Sequence, residues 1–126
     1  MRIVYSRDPF DEIEISATEV EWIAFSEAIM WDGMTIDCDD VLQPAPYARV
    51  VKRLVVSHRW NEKVAFSFET DEILLLRGDQ ENLAVLAKNA LNIGTNLAPG
   101  MHVHVEYLND TGVIGSDSVP AVFARL

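Results

Sequence analysis

Cysteine is almost absent from this sequence, and its scarcity excludes several kinds of site. Cys38 is the only cysteine in 126 residues, so the chain cannot form an internal disulfide or a metal site built from several thiolates. A single cysteine is typical of proteins from reducing compartments. Glycine and proline are also few, at six and five residues, while 49% of the residues are hydrophobic. This composition predicts one folded domain spanning residues 1–126.

Long apolar runs are absent as well. No stretch approaches the roughly 20 apolar residues that a transmembrane helix requires. The polar residues Ser6, Arg7 and Asp8 follow closely after Met1, which leaves no room for the apolar part of a signal peptide. We therefore expect a cytoplasmic protein that has no membrane partner.

Motifs for phosphate binding and nucleophilic catalysis are missing. Neither G-x-G-x-x-G nor G-x-x-x-x-G-K-[ST] occurs, and the adjacent Ser57 and His58 lack the context of a nucleophile elbow. Cys38 lies between Asp37 and Asp39, and such negative charge raises the pKa of a thiol. The sequence therefore predicts a protein that is not an enzyme and carries no cofactor.

Basic residues are scarce relative to acidic ones. Ten lysines and arginines oppose 20 aspartates and glutamates, which gives a net charge of −10. This excess argues against nucleic acid as a direct ligand, because phosphates would be repelled. The imbalance is concentrated in residues 1–40, where eleven acids face two arginines, whereas residues 41–63 carry +4 and residues 64–126 carry −5. Solubility is the simplest explanation, and a cationic protein partner is the more specific one.

Two amphipathic helices are the clearest elements present. Ser16 followed by Glu19 has the spacing of a capping box, so the first helix is expected to begin at Ser16 and to end near residues 31–33. Asp79 is the expected N-cap of the second helix. Both helices carry residues at helical spacing that predict one face packed on a sheet. These are Trp22, Phe25, Ser26 and Ile29 in the first helix, and Leu83, Leu86, Ala87, Ala90 and Leu91 in the second.

Alternating or valine-rich stretches predict strands before and after each helix. They span residues 3–5, 12–15, 34–37, 49–58, 63–69, 72–77, 101–108 and 119–125. A shift of 61 residues superposes the two helical stripes. This match predicts a pseudo-repeat of two ββαββ halves, residues 1–60 and 61–126. The alternative is that short amphipathic elements resemble one another by chance. The predicted fold is α+β, a mostly antiparallel sheet covered on one face by two helices. Its other face is open to a partner.

The segment HVHVEY, residues 102–107, places two histidines and a glutamate at alternating positions. His102, His104 and Glu106 therefore share one strand face, and the valines between them face the helices. Imidazole and carboxylate groups suit Zn²⁺, with His58 as a further ligand, so a metal-binding protein or metalloenzyme stays open as an alternative. No second segment with ligand spacing supports a metal. We predict that this face is polar and contacts a partner.

The second half resembles a known family. It contains EILLLRGDQENLAVLAKNAL, then GMHVHVEYL, and finally GSDSVPAVFARL. Over residues 63–126 these segments resemble the immunity protein 32 family of bacterial polymorphic toxin systems. The shared features are a strand, a Leu- and Ala-rich helix opened by Gly-Asp, a G-x-H-x-H-x-E strand and a closing strand. The resemblance implies a small α+β protein that binds and silences a cognate toxin without catalysis. Pro120 departs from an unbroken apolar closing strand, and it predicts an edge position or a bulge there.

Together these features predict an acidic binding protein whose partner is a basic toxin domain. Charge would control the rate of association, and aromatic side chains would control the lifetime of the complex. The candidate anchors are Trp31, Tyr47 and Trp60, of which Trp60 in the polar run SHRWNEK is the one most expected to be exposed. A homodimer through the open sheet face stays open as an alternative. The predicted partner-binding residues are Glu27, Asp32, Asp37, Asp39, Asp40, Trp60, His102, His104 and Glu106.

Overall fold

The computed structural model describes residues 1–6, 12–40, 48–105 and 113–126. Within these residues the chain forms two helices and nine strands, which confirms the predicted α+β class. Most neighbouring strands pair in antiparallel fashion, as expected. The strands are divided between two sheets instead of forming the single sheet that the sequence suggested.

Sheet A has five described strands and sheet B has four. From one edge to the other, sheet A consists of β4 (Ala48–Val50), β1 (Arg2–Ser6), β2 (Ile13–Ala17), β9 (Ala121–Arg125) and β8 (His102–His104). Sheet B consists, again from one edge to the other, of β3 (Thr35–Asp37), β5 (Arg53–His58), β7 (Ile73–Gly78) and β6 (Ala65–Thr70). The helices are α1 (Glu19–Ala28) and α2 (Gln80–Asn96).

The two predicted ββαββ halves are present in the fold. The first half contributes β1, β2, α1, β3 and β5, the second contributes β6, β7, α2, β8 and β9, and β4 is additional to this pattern. The helix N-caps, Thr18 and Asp79, lie 61 positions apart, which is the shift that superposes the sequences. Trp22 and Leu83, at equivalent positions of the two stripes, are both fully buried.

The halves are interlocked. Each helix connects a hairpin in one sheet to a strand pair in the other, so the single sheet expected from the sequence becomes two. At the centre of sheet A, β2 pairs in parallel with β9, and at the centre of sheet B, β5 pairs in parallel with β7. Each central pair joins one strand from each half. Neither half contains a complete sheet, and both sheets need both halves.

The long strand predicted over residues 49–58 is two strands in different sheets. The chain changes sheet at Val51 and Lys52, between β4 and β5. The Val51 N–H donates to the carbonyl of Ile3 in sheet A at 2.9 Å, and the Lys52 N–H donates to the carbonyl of Glu72, beside sheet B, at 2.8 Å. The prediction was wrong because both strands share one alternating pattern, which carries no information about the partner sheet.

The N-cap of the first helix lies two residues after Ser16, so α1 begins at Glu19, and the helix ends at Ala28, before the predicted residues 31–33. Ser16 belongs to β2, where its hydroxyl donates to the Glu14 carboxylate at 2.9 Å. Thr18 is the N-cap, and it forms a capping box with Glu21. The segment SATEVE contains both S-x-x-E and T-x-x-E spacings. Thr18 is the cap because β2 extends through Ser16 to Ala17.

Two predicted boundaries in the second half also shift. Helix α2 continues to Asn96, beyond Leu91 at the end of its predicted stripe, and it buries Ile93 and Gly94, whereas Leu91 is 41% exposed. Pro120 directly precedes β9, which is an interior strand, so the predicted edge position or bulge is wrong. A strand can begin directly after proline because the missing N–H then falls outside the ladder.

One core joins the helices to the inner faces of both sheets. The indole N–H of Trp22 in α1 donates to the carbonyl of Ala124 in sheet A at 3.0 Å, and its ring lies 4.9 Å from that of Phe123. Phe66 in sheet B meets Phe123 edge to face, with ring centroids 6.2 Å apart. The outer sheet faces and the outer sides of the helices are therefore the surfaces available for function.

Candidate functional site

The connection from α1 to β3 is fastened to the end of β5. The Asp32 carboxylate accepts a hydrogen bond from the His58 N–H at 2.8 Å, and the His58 ring nitrogen Nε2 lies 3.0 Å from the carbonyl of Ile29. Gly33 adopts a positive φ of 77° that allows the tight turn, and its N–H donates to the carbonyl of Val56 at 2.9 Å. Asp32 therefore has a structural role that its sequence context did not reveal.

Two tryptophans flank this junction with their side chains exposed. Trp31 is 67% exposed and Trp60 is 92% exposed, whereas Trp22 is fully buried in the core. Met34, also exposed, follows Trp31 closely in the chain. We call Trp31, Asp32, Met34, His58 and Trp60 the tryptophan end. The sequence correctly predicted that Trp60 is exposed, and its role in binding stays a prediction.

An exposed stripe of α1 leads to the tryptophan end. Val20, Ala24 and Glu27 in α1 and Trp31, three residues beyond its end, recur at helical spacing and are all exposed, with Val20 at 75%. This stripe lies opposite the buried one and pairs apolar side chains with a carboxylate. Of this stripe, only Glu27 and Trp31 were predicted from the sequence to contact a partner. The same helical period that located the buried face identifies Val20 as well.

The remaining acidic candidates lie on and beyond β3. Asp37 pairs with the guanidinium of Arg53 at 3.2 Å, across neighbouring strands of sheet B. Asp39 lies 2.9 Å from the amine of Met1, and Asp40 is exposed. Asp37 and Arg53 are both exposed, so their pair contributes little stability, and the Asp39 carboxylate is exposed although the Met1 residue that it contacts is buried.

A small hollow lies between α1 and β3. It has a volume of about 200 Å³ and an apolar floor made of Ala24, Phe25, Ala28 and Ile36. Its remaining lining is Met1 and three acids, Glu21, Asp37 and Asp39. We call this feature the α1–β3 hollow. Only Asp37 and Asp39 were among the predicted residues, because the hollow depends on how closely a helix and a strand approach.

His102 and His104 lie on a different surface. They line a hollow of about 460 Å³ on the outer face of sheet A, and their ring centroids are 6.0 Å apart. Val105, directly after β8, is buried, whereas Val103 and His104 are both half-buried, so burial alternates less sharply here than the sequence predicted. The other lining residues are Arg2, Glu12, Glu14, Ser16, Gly100, Val122, Ala124, Arg125 and Leu126. Glu106 and Tyr47 lie outside the described residues.

The metal-site alternative loses one of its proposed ligands. His58 is on β5 in sheet B, whereas His102 and His104 are on β8 in sheet A, so His58 does not belong to the same strand face. Across the described ranges, no group of three or more His, Cys, Asp or Glu side chains is placed to hold a metal ion. The predicted site residues thus separate into the α1 and β3 side, the tryptophan end and the outer face of sheet A.

Cys38 is a poor nucleophile in this environment. Burial raises the pKa of its thiol to about 11, an effect partly offset by the Met1 amine and reinforced by Asp39 and Asp37. The thiol therefore stays protonated at neutral pH, and thiolate is the reactive form. The predicted direction of the pKa shift is confirmed, with burial rather than the neighbouring acids as its main cause.

An ion-pair network in the second half joins Arg77 to two acids. Its guanidinium contacts Glu62 at 3.2 Å and also pairs with Asp117, which raises the pKa of Arg77 and lowers that of Asp117. This network connects β7 to the segment before β9 and has a structural role.

Among the described residues, neither helix is long and apolar enough to cross a membrane. Comparisons of the chain with protein-family models, with curated proteins and with solved structures found no match.

Proposed function

We propose that this chain is a non-catalytic binding protein that holds a basic protein partner against its tryptophan end. The observation that carries the proposal is the pair of exposed indoles, Trp31 and Trp60, at the tryptophan end of the fold, in a chain with a net charge of −10. Tryptophan is enriched among the residues that dominate interface energies. Exposed apolar surface surrounded by polar groups marks interaction sites.

Charge complementarity favours a cationic partner. Glu27 lies one helical turn before Trp31 on the exposed stripe of α1, and Asp40 is exposed beyond β3. Arginine and lysine side chains bind to indole faces as well as to carboxylates, so a surface that offers both suits a basic protein. Such a surface repels nucleic acid.

The resemblance of residues 63–126 to the immunity protein 32 family supports a more specific proposal. The partner is then a cognate bacterial toxin domain, bound and silenced in the cytoplasm. Many toxin domains that act on nucleic acids are basic, and protein carboxylates can occupy the positions where phosphates would bind. Inhibition by occupation requires no chemical step, so the protein needs no cofactor.

The test begins with the protein encoded beside this chain in its genome. Coexpression with an affinity tag on this chain is expected to co-purify a basic domain, and raising the salt concentration is expected to slow association, because exposed charges are screened. Trp60→Ala and Trp31→Ala are each expected to weaken binding about tenfold or more, mainly through faster dissociation. Surface plasmon resonance measures both rates.

Leu91→Ala supplies the matched control. Leu91 is an exposed apolar side chain on α2, away from the tryptophan end. Its replacement is expected to leave both rates unchanged. The proposal is overturned if both tryptophan variants bind as tightly as the parent chain, or if no basic protein is recovered.

Two measurements separate this proposal from the alternatives. A metal-binding protein that uses the adjacent imidazoles of His102 and His104 would retain metal in stoichiometric amount and lose it in His102→Ala, which elemental analysis detects. A homodimer through an outer sheet face would have twice the chain mass in solution and would not respond to reversal of the charges at Glu27 and Asp40. Sedimentation velocity gives that mass.

A further inference from the structure

We infer that the α1–β3 hollow receives one arginine side chain of the partner. This inference deepens the proposed function and rests on it, because the arginine belongs to the basic partner protein. Its basis is the combination of an apolar floor, an acidic rim, a small volume and an asymmetry between the two halves of the fold.

The volume of the hollow fits a single side chain. At about 200 Å³ it is smaller than the roughly 300–1,000 Å³ of pockets that enclose small-molecule ligands. It is also open to the surface, so an extended side chain of a partner can enter it. One long residue is therefore the natural occupant, and a nucleotide or similar ligand is too large.

The lining matches the two parts of an arginine side chain. Long cationic side chains bury their methylene groups on apolar surface and keep the charged end in a polar setting. Ala24, Ala28 and Ile36 provide the apolar surface, and Asp37 and Asp39 stand at the rim with exposed carboxylates. Guanidinium is less strongly hydrated than ammonium and binds carboxylates through two parallel hydrogen bonds, so arginine fits better than lysine.

The rim keeps a net negative charge. It holds three carboxylates, those of Glu21, Asp37 and Asp39. The Met1 amine contacts two of them and the Arg53 guanidinium contacts the third. Three negative charges against two positive ones leave an excess of one, and Asp37 is 82% exposed with its pair to Arg53 at the surface. An incoming guanidinium therefore meets an attractive field at the mouth of the hollow.

The second half of the fold shows that the hollow is not a requirement of the architecture. At the positions of α2 equivalent to Ala24 and Ala28 stand the larger residues Val85 and Asn89. Val85 is partly buried and packs against the core. The rim position equivalent to Glu21 is the neutral Asn82. Small floor residues and an acidic rim are thus particular to the first half.

The experiment is a titration of isotopically labelled protein with N-acetylarginine amide, followed through backbone amide resonances by NMR. We expect saturable shifts confined to residues 21–28 and 35–39, with an affinity in the millimolar range for so small a probe. N-acetyllysine amide is expected to bind more weakly. N-acetylcitrulline amide, which has nearly the same shape but no charge, is expected to bind at least about tenfold more weakly.

Two variants test the floor and the rim separately. Ala28→Leu fills the hollow and is expected to abolish the local shifts, whereas Ala84→Leu, at an exposed position of α2, is the matched control and is expected to preserve them. Asp37→Asn is expected to weaken arginine binding without loss of the fold, because this carboxylate is exposed. That second variant keeps the test valid if Ala28→Leu fails to fold.

The outcomes separate the hollow from the proposed function. Equal binding of the arginine and citrulline probes, shifts centred on His102 and His104, or unchanged binding in both variants would overturn the assignment. If a basic partner is captured while the probe shows no local binding, the assignment of an arginine side chain to the hollow is wrong and the proposed function stands. If the probe binds in the hollow but no basic partner exists, the proposed function fails and the arginine site remains.

Discussion

Gly94 allows α2 to lie close against α1. A Cβ atom built at this position would be 2.8 Å from Cβ of Trp22 and 3.1 Å from the carbonyl oxygen of Glu19. In an exposed helix the change from glycine to alanine adds about 1 kcal/mol of stability. Here the helices would have to separate, so we expect Gly94→Ala to lower the free energy of unfolding by about 1–3 kcal/mol. Urea denaturation followed by circular dichroism measures the change.

The neighbouring Thr95 provides the control. It is exposed on the same turn of α2, so Thr95→Ala changes helix propensity without changing the contact between the helices. We expect this variant to be as stable as the parent chain or slightly more stable. A gain in stability in Gly94→Ala would show that the helices are not in close contact at Trp22.

Cys38 makes stability depend on pH in the alkaline range. Its thiol pKa is raised from 9.0 to about 11 in the fold, chiefly by burial, and the unfolded chain has the lower value. Between these values the folded state binds more protons than the unfolded state, so the free energy of unfolding falls as the pH rises from about 9 to about 11. Below that window the thiol is protonated in both states and has no effect.

Denaturation midpoints of the parent chain and Cys38→Ala across this pH range isolate the contribution of the thiol. We expect the parent chain to lose stability more steeply than the variant, because lysine and tyrosine titrations are common to both. Parallel pH profiles for the two chains would contradict a raised thiol pKa at position 38.

The helical elements were predicted better than the strands for a physical reason. A helix buries residues that repeat within its own segment, so the stripe of Trp22, Phe25 and Ile29 is visible in the sequence and all three are buried. A strand pairs with a distant segment, and its alternating pattern does not name that segment. The division of residues 49–58 between two sheets depends on Val51 meeting Ile3, a contact outside the reach of local patterns.

The candidate site was predictable from the sequence only in part. The polar run around Trp60 indicated its exposure, and the acidic composition of residues 1–40 indicated a negatively charged side. The α1–β3 hollow was not predictable, because it exists only where the small Ala24 and Ala28 face Ile36 across a tertiary contact.

At the scale of elements, the position of each strand in its sheet predicts how slowly its amides exchange with solvent. We expect the slowest exchange in the five interior strands, β1, β2 and β9 in sheet A and β5 and β7 in sheet B, because each is hydrogen-bonded on both sides. The three-residue strands β3, β4 and β8 at the sheet edges are expected to exchange much faster. Hydrogen–deuterium exchange read by mass spectrometry tests this order, and protection of β8 equal to that of β9 would contradict the strand order of sheet A.

At the scale of the whole molecule, the interlocked halves determine what can fold. Residues 1–60 contain β2 and β5 without their parallel partners, and residues 61–126 contain β9 and β7 without theirs. Each isolated half would expose the edges of two incomplete sheets and the core face of one helix. We therefore expect each half alone to be unfolded or aggregated, because its apolar stripe has nothing to pack against.

Mixing the two halves is expected to restore the fold in a one-to-one complex. Chain cleavage between Trp60 and Asn61 falls in the turn between β5 and β6, so no strand is cut. The complex should show the circular dichroism spectrum and amide dispersion of the intact chain, with stability that increases with fragment concentration, since association has become bimolecular. A half that folds cooperatively as a monomer would mean that the halves are separate domains, because strands of an interlocked sheet cannot be stable without the strands between which they lie.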